Sequence, residues 1–364
     1  MYKVLIRPLL FLFDPERAHH LVVLVIKTLC GIPGMYQFIR RMTKGSGTIE
    51  PIDFAGIKFD GRVGMAAGFD KNADFYKEIS VLGFSFVEIG TVTPLPQPGN
   101  PKPRLFRLVK DGALVNRMGF NNKGVEYAVT RLKRRNNTIV VGGNIGKNTV
   151  TPNEKAVDDY AVCFAKLYDV VDYFTVNVSC PNIAGMDKLQ DIGSLREILT
   201  RIVQIRIRMK PYKPVFLKIA PDLSFRQIDD ILALVGETGL DGVIATNTTT
   251  SRECLATDAE RITTVGQGGL SGKPLTNRVL EMVRYICKQS GGKLPVIAVG
   301  GIMSREDALN LIKAGAGLIQ LYTGLIYEGP LLVRKINLAL QEYSHEIMVG
   351  KPMEPMNENV PGRI

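Results

Sequence analysis

From residue 63 onward, short apolar runs alternate with longer stretches whose apolar positions recur every three to four residues. The runs fall at 63–67, 84–90, 139–145, 173–178, 215–219, 242–246, 296–299 and 318–322. Each has the length of a buried strand, and most are rich in Val, Ile and Leu. Between them, 153–168, 193–209, 224–238, 276–289 and 304–314 carry helical spacing, with Asn153, Ser224, Thr276 and Ser304 placed to cap them. Strands and helices in this alternation predict an α/β fold with a closed parallel sheet, a (β/α)8 TIM barrel. An open doubly wound sheet is the alternative with the same pattern.

Two segments break the alternation. Residues 53–63, with Phe59-Asp60-Gly61, predict a hairpin ahead of the first barrel strand, closing the barrel bottom. Residues 105–116, with Lys110-Asp111-Gly112 at the turn, predict a second hairpin over the barrel top. Ahead of the barrel, 1–13 and 21–29 are apolar but carry Lys3, Arg7 and Lys27. Neither stretch is long enough to span a bilayer, and Asp14-Pro15-Glu16-Arg17 follows the first with no cleavage site. Short apolar helices with basic residues suit a surface-lying anchor, or a helical pair packed on its own barrel. The expected division is a helical membrane-associating domain with its linker (1–45), the barrel (46–344), and a Pro-, Asn- and Gly-rich mobile tail (345–364).

Composition narrows the chemistry. The net charge of +11 suits an anionic substrate, a phosphate-bearing cofactor, an anionic membrane or nucleic acid. No aromatic-interleaved basic stripe accompanies it, which argues against nucleic acid and against a non-catalytic basic binder. The five cysteines are widely spaced and there are only three histidines, so no metal centre is expected and the thiols read as reduced.

Polar residues collect where the strands end, and barrel enzymes place their chemistry there. Ala66-Ala67-Gly68-Phe69-Asp70-Lys71 follows the first strand and Thr91 ends the second; Asn116-Arg117-Met118-Gly119-Phe120 follows the upper hairpin. Asn144, Lys218 and Thr246-Asn247-Thr248 end the third, fifth and sixth strands. One lone Asn or Lys at a strand end is usually a turn former; the same behaviour at nearly every strand points to a site. The fourth strand ends in Asn177-Val178-Ser179-Cys180-Pro181-Asn182. Its two amides can grip an amide-rich ring, and the thiol between them is a candidate proton acceptor rather than a small buried hydrophobe. Lys218, inside an apolar strand, needs a partner, either an internal carboxylate such as Glu88 or a cofactor edge that gains negative charge. Gly268-Gly269-Leu270-Ser271-Gly272-Lys273, Gly300-Gly301 and Tyr322-Thr323-Gly324 flank the last two strands, where barrels bind phosphate. With no Walker A loop and no dinucleotide fingerprint, a mononucleotide such as FMN fits best.

These motifs, in this order, resemble the dihydroorotate dehydrogenases of the membrane-associated, quinone-reducing class. The likeness runs from Asp14-Pro15-Glu16-Arg17-Ala18-His19 to about Gly329, through Glu88-Ile89-Gly90-Thr91, Asn144-Ile145-Gly146-Lys147-Asn148, Lys218-Ile219-Ala220-Pro221-Asp222 and Gln320-Leu321-Tyr322-Thr323. It implies one FMN per chain, contacted by Ala67, Gly68, Phe69, Asp70, Lys71, Thr91, Asn144, Asn177, Lys218, Thr246, Ser271, Gly272, Gly300, Gly301, Tyr322 and Thr323. It implies dihydroorotate held by Lys71, Asn116, Arg117, Met118, Gly119, Phe120, Asn177, Asn182, Asn247 and Thr248, with Cys180 as base and orotate as product, in pyrimidine biosynthesis. It implies a membrane quinone reached past His19, Arg107 and Tyr322, and peripheral attachment to the cytoplasmic face of a bacterial plasma membrane, with no obligatory protein partner. Two residues depart from that class. Cys180 stands where serine is usual and is typical of the soluble class that uses fumarate or NAD, and Asp187 stands where arginine is general.

Overall fold

The computed structural model describes residues 2–44, 51–135, 139–178 and 191–348. A π-type turn over Tyr2–Ile6 leads into α1 (Arg7–Phe11), then α2 (Pro15–Gly31) and α3 (Met35–Lys44). Asp14 caps α2 by accepting from the N–H groups of Glu16 and Arg17, and Pro15 sits at the first helical position, where its missing N–H costs nothing. The chain bends by 116° between α2 and α3, so no described single helix is long and apolar enough to cross a membrane. Within the segment expected to hold the helices and their linker, α3 runs through Lys44, and the Thr43 hydroxyl donates to Ile39 O. Residues 45–48 lie outside the described residues.

The hairpin β1 (Ile52–Phe54) and β2 (Ile57–Phe59) follows. It turns at Ala55-Gly56, not at Phe59-Asp60-Gly61. Both turn residues have positive φ, which a two-residue hairpin of this hand requires. Phe59-Asp60-Gly61 instead carries the chain into β3 (Val63–Met65). The barrel closes in the order β3, β4 (Phe86–Val92), β7 (Val140–Ile145), β8 (Tyr173–Asn177), β9 (Val215–Ile219), β10 (Gly242–Ala245), β12 (Val296–Val299), β13 (Leu318–Leu321), all parallel. The eight strands read from the hydrophobic pattern are these eight.

Aromatic side chains fill the lower barrel. A Cβ on Gly64 would lie 2.3 Å from the Phe86 ring, and one on Gly142 only 2.1 Å from that of Tyr173. Glycine at these inward positions makes the room that its neighbours' rings occupy. The β1–β2 hairpin closes this end, Phe54 stacking on Phe216 and Phe59 meeting Phe86 edge-on.

At the opposite end, β5 (Leu105–Leu108) and β6 (Ala113–Asn116) form the expected upper hairpin. A third strand, β11 (Gly269–Gly272), pairs with β6. The glycine-rich stretch read as a phosphate loop therefore begins as the edge of a small sheet lying over the barrel mouth. The outer helices include α6 (Ala156–Leu167), α7 (Ile192–Ile207), α8 (Phe225–Thr238), α10 (Thr276–Gln289) and α11 (Arg305–Lys313). Ser224 and Ser304 are N-caps, each with a reciprocal capping box. Asn153 instead opens a 3-10 turn, and Thr276 is the first residue of α10, its hydroxyl spent on Gly301 O. The short α12 (Thr323–Glu328) leads to α13 (Leu331–Met348), which packs against α11 and α3 and runs past the boundary expected at 344.

Candidate active site

The floor of the barrel mouth is organised by a carboxylate. Glu88, on β4, is fully buried, as expected only of a charge that is paired and hydrogen-bonded. Asn144 Nδ2 donates to its Oε1 at 2.7 Å; Gln320 Nε2 and the Thr175 hydroxyl donate to its Oε2 at 2.8 and 3.0 Å. Lys218 Nζ lies 3.8 Å from Oε1, so the internal carboxylate partner foreseen for this lysine exists. Lys218 also lines the cleft above, so its charge faces both ways.

A second tier rests on this floor. The Thr91 hydroxyl donates to Asn144 Oδ1 at 2.6 Å, Asn177 Nδ2 donates to Thr91 Oγ1 at 3.0 Å, and Asn247 Nδ2 donates to Asn177 Oδ1 at 3.2 Å. Each amide is thereby fixed in rotation by a side chain from another strand. Along one side, Ser271 and Thr323 share a hydrogen bond of 2.8 Å, and Gly300, Gly301 and Gly272 approach with bare backbone. Gln320 Oε1 is buried and accepts from nothing among the described residues, although its amide lines the cleft. An unmatched acceptor there calls for a donor from a bound group.

The loop after β3 supplies a cation. Lys71 Nζ donates to Gly68 O at 2.9 Å. Burial pushes its pKa down to about 8, Glu16 pulling it up and Arg104 pushing it down. Asp70 does not line this cleft. Its carboxylate accepts from the N–H groups of Asp74 and Phe75 at 2.8 and 3.0 Å and so shapes the loop that presents Lys71. Burial raises Asp70 to about 6, against the pull of those N–H groups.

A second, largely apolar cavity of about 860 Å³ runs between α2 and the barrel. His19, Phe69, Arg107, Lys71 and Tyr322 are among its walls, and Lys71 and Tyr322 line the polar cleft as well. His19 meets Phe69 edge-on at 4.9 Å. Burial, reinforced by the charge of Lys71, pushes its imidazole down to about 3, so the ring is neutral at physiological pH. Arg107 lies 4.4 Å over the Phe11 ring and donates to Phe13 O at 2.8 Å, tying β5 to the N-terminal segment.

Most expected residues converge. Ala67, Gly68, Lys71, Thr91, Asn116, Met118, Gly119, Phe120, Asn177, Lys218, Thr246, Asn247, Thr248, Ser271, Gly272, Gly300, Gly301, Tyr322 and Thr323 line the cleft. Four differ. Phe69 and Asp70 face the apolar cavity, Asn144 lies beneath the cleft as a brace, and the Arg117 guanidinium turns away to Gln267 O and the Phe106 ring. Cys180, Asn182 and Asp187 lie outside the described residues. Thr175, not named from the sequence, and Gln320, named only within a motif and given no role, carry the floor, since inward-facing positions on non-adjacent strands meet only once the barrel closes. Among the described residues there is no group of three or more potential metal ligands.

The family pattern described as dihydroorotate dehydrogenase matches residues 51–343. The chain is 50% identical over 342 residues to the dihydroorotate dehydrogenase (quinone) of Christiangramia forsetii, covering 94% of this chain and 99% of that one. It is 47% identical over 345 residues to the dihydroorotate dehydrogenase (quinone) of Thermobifida fusca, covering 93% and 91%. Among solved structures it superposes on the ligand-free DHODH of Eimeria tenella with a TM-score of 0.82 at 36% identity, covering 93% of this chain and 96% of that one. The chain belongs to the dihydroorotate dehydrogenase family.

Proposed function

We propose that this chain oxidises dihydroorotate to orotate with FMN and passes the electrons to a membrane quinone. The observation that carries the reading is the junction of two unlike cavities at Lys71 and Tyr322. One has the hydrogen-bonded amide floor that a polar ring needs; the other offers an apolar route along α2 suited to a quinone tail. The relatives' names support the same pairing of substrate and acceptor.

The cleft fits a flavin mononucleotide. The orphan Gln320 Oε1 offers an acceptor to a ring N–H, and Lys218 offers a cation to a ring edge that gains charge. Gly300, Gly301 and Thr323, at the start of α12, offer bare backbone to a phosphate. When bound, FMN supplies the two-electron acceptor for the substrate's hydride. The chain's own residues do the rest. Lys71 faces the substrate carboxylate, and Asn116, Asn177, Asn182, Asn247 and Thr248 hold the ring amides. Cys180 takes the proton from ring carbon 5 as hydride leaves carbon 6. Neutral His19 and the Tyr322 ring line the route by which the acceptor approaches.

The exposed apolar side chains of Leu5, Leu9, Leu12, Leu24 and Phe38 on the N-terminal segment support attachment to a lipid surface. Cys180 favours a second reading, in which the same half-reaction feeds fumarate or NAD. The test is steady-state oxidation of dihydroorotate with quinone, fumarate and NAD in turn. Turnover with quinone alone is expected; equal or faster turnover with fumarate or NAD would transfer the chain to the second reading.

A further inference from the structure

We infer that Glu16 of α2 is a positioning residue for the substrate loop, so the N-terminal helices help to build the dihydroorotate site as well as the acceptor route. This rests on the function proposed above and concerns residues with no contact to the cleft floor.

Glu16 lies in the first turn of α2 and is only 8% exposed. Its carboxylate takes the Nε/Nη2 edge of the Arg104 guanidinium: Nη2 and Nε donate to Oε1 at 2.9 and 3.2 Å, and Nε reaches Oε2 at 3.3 Å. Burial would raise the Glu16 pKa, but the hydrogen bond and charge of Arg104 hold it below the usual carboxylate range. Such fork geometry is the strong form of a charge-assisted contact. Arg104 is itself 7% exposed, and its remaining nitrogen Nη1 donates to Pro98 O and Asn100 O at 2.6 and 2.9 Å. One guanidinium thus closes the 98–104 loop around itself.

That loop grips the substrate segment. Arg117 N donates to Arg104 O and Asn100 N to Met118 O. Asn100 Nδ2 donates to Arg117 O at 2.9 Å, and Gly119, at φ +70, leaves room for the Asn100 side chain, which a Cβ would meet at 2.8 Å. The chain of contacts therefore runs Glu16, Arg104, Asn100, then residues 117–119 beside the cleft. Without Glu16, Arg104 keeps a buried charge balanced only by backbone carbonyls and the loop loses its reason to stay closed.

The test measures orotate affinity from the flavin spectrum and flavin reduction by dihydroorotate in stopped flow, for the full-length holoenzyme and its Glu16→Gln, Glu16→Asp and Asn100→Ala variants. Glu16→Gln is expected to weaken orotate and dihydroorotate binding by at least about tenfold, as loss of a charged hydrogen bond predicts. The reduction rate at saturating dihydroorotate is expected to stay within about threefold, the signature of lost binding rather than lost chemistry. Glu16→Asp should recover part of the affinity. Asn100→Ala, which uncovers no charge, should weaken substrate binding while reoxidation by quinone stays unchanged. The pH profile gives an independent readout. Lys71 faces Glu16 and His19 from α2, Asp70 from its own loop, Arg104 and Tyr322. Removing the Glu16 charge should move the alkaline loss of orotate binding to lower pH. Should Glu16→Gln fail to fold, Glu16→Asp decides, by orotate binding weakened against the parent or equal to it. Variants that bind orotate as the parent does overturn the coupling and leave the proposed activity standing. A parent that neither binds orotate nor is reduced by dihydroorotate overturns both.

Discussion

In the cleft at the barrel mouth, polar side chains arrive from the ends of different strands and hydrogen-bond to one another. In the passage along α2, Val22, Val23 and Ile26 follow helical spacing, and the polar residues His19 and Arg107 are engaged by aromatic rings. The first region gains its specificity from fixed donors and acceptors, whose buried amides reject a ligand that leaves them unpaired. The second gains its function from bulk and apolarity, which admit a long, flexible acceptor with few directional demands. The two share a wall at Lys71 and Tyr322 without sharing a building principle. Changes on the cleft side should therefore alter substrate chemistry, and changes in the apolar lining of the passage should alter the acceptor step.

The sharpest break in that division is expected at Cys180. Cys180→Ala should slow flavin reduction by at least about a hundredfold, the lower end for removal of a general base. Cys180→Ser should keep some activity, its rise with pH displaced upward, because a thiol ionises at roughly pH 8.5 and an alcohol far higher. Stopped-flow reduction across pH measures both, and an alanine variant as fast as the parent would remove the thiol from the chemistry. Next in size is Lys218→Ala. It should weaken FMN retention or slow flavin reduction by at least about tenfold, roughly 1.4 kcal/mol. Full FMN content with an unchanged reductive step would contradict that role.

The shared wall makes a subtler prediction. Lys71, lowered mainly by burial to about 8, is charged below that pH and neutral above it. Orotate affinity should be level below about pH 7 and fall above pH 8, by at most about tenfold per unit. Affinity that stays flat to pH 9.5 would mean that Lys71 does not pair with the carboxylate. The smallest expected effect is none. His19, held near 3 by burial and by Lys71, stays neutral, so the quinone step should show no ionisation between about pH 5 and 8 that His19→Phe removes. Such an ionisation would place a charge inside the passage.

How far each region was legible follows from how it is built. Strand termini can be read from sequence because the hydrophobic run stops where the polar residue begins, and Asn177 and Thr246 stand at such stops. The Glu88 floor was harder. Thr175 and Gln320 lie 87 and 232 residues from it, and only the register of the closed barrel aims all three inward. Arg117 sits inside the motif that marks the substrate segment, yet its guanidinium serves the adjacent sheet; a motif identifies a segment, not the direction of each side chain. Three of the five residues from Gly268 to Gly272, which span β11 and its flank, are glycine, so the strand lacks the β-branched residues that announce one. The Glu16–Arg104 pair spans 88 residues and depends on how α2 docks, which no local pattern encodes.

The division into two regions is tested most directly by separating the half-reactions in a protein whose passage has been narrowed. Val22→Trp places an indole in the wall of the apolar cavity, away from the cleft. Stopped flow would follow flavin reduction by dihydroorotate, then reoxidation of the reduced enzyme by quinone. The expected result is reduction at the parent rate with most of the quinone reoxidation lost. A variant reoxidised by quinone as fast as the parent, or slowed equally in both steps, would contradict the account.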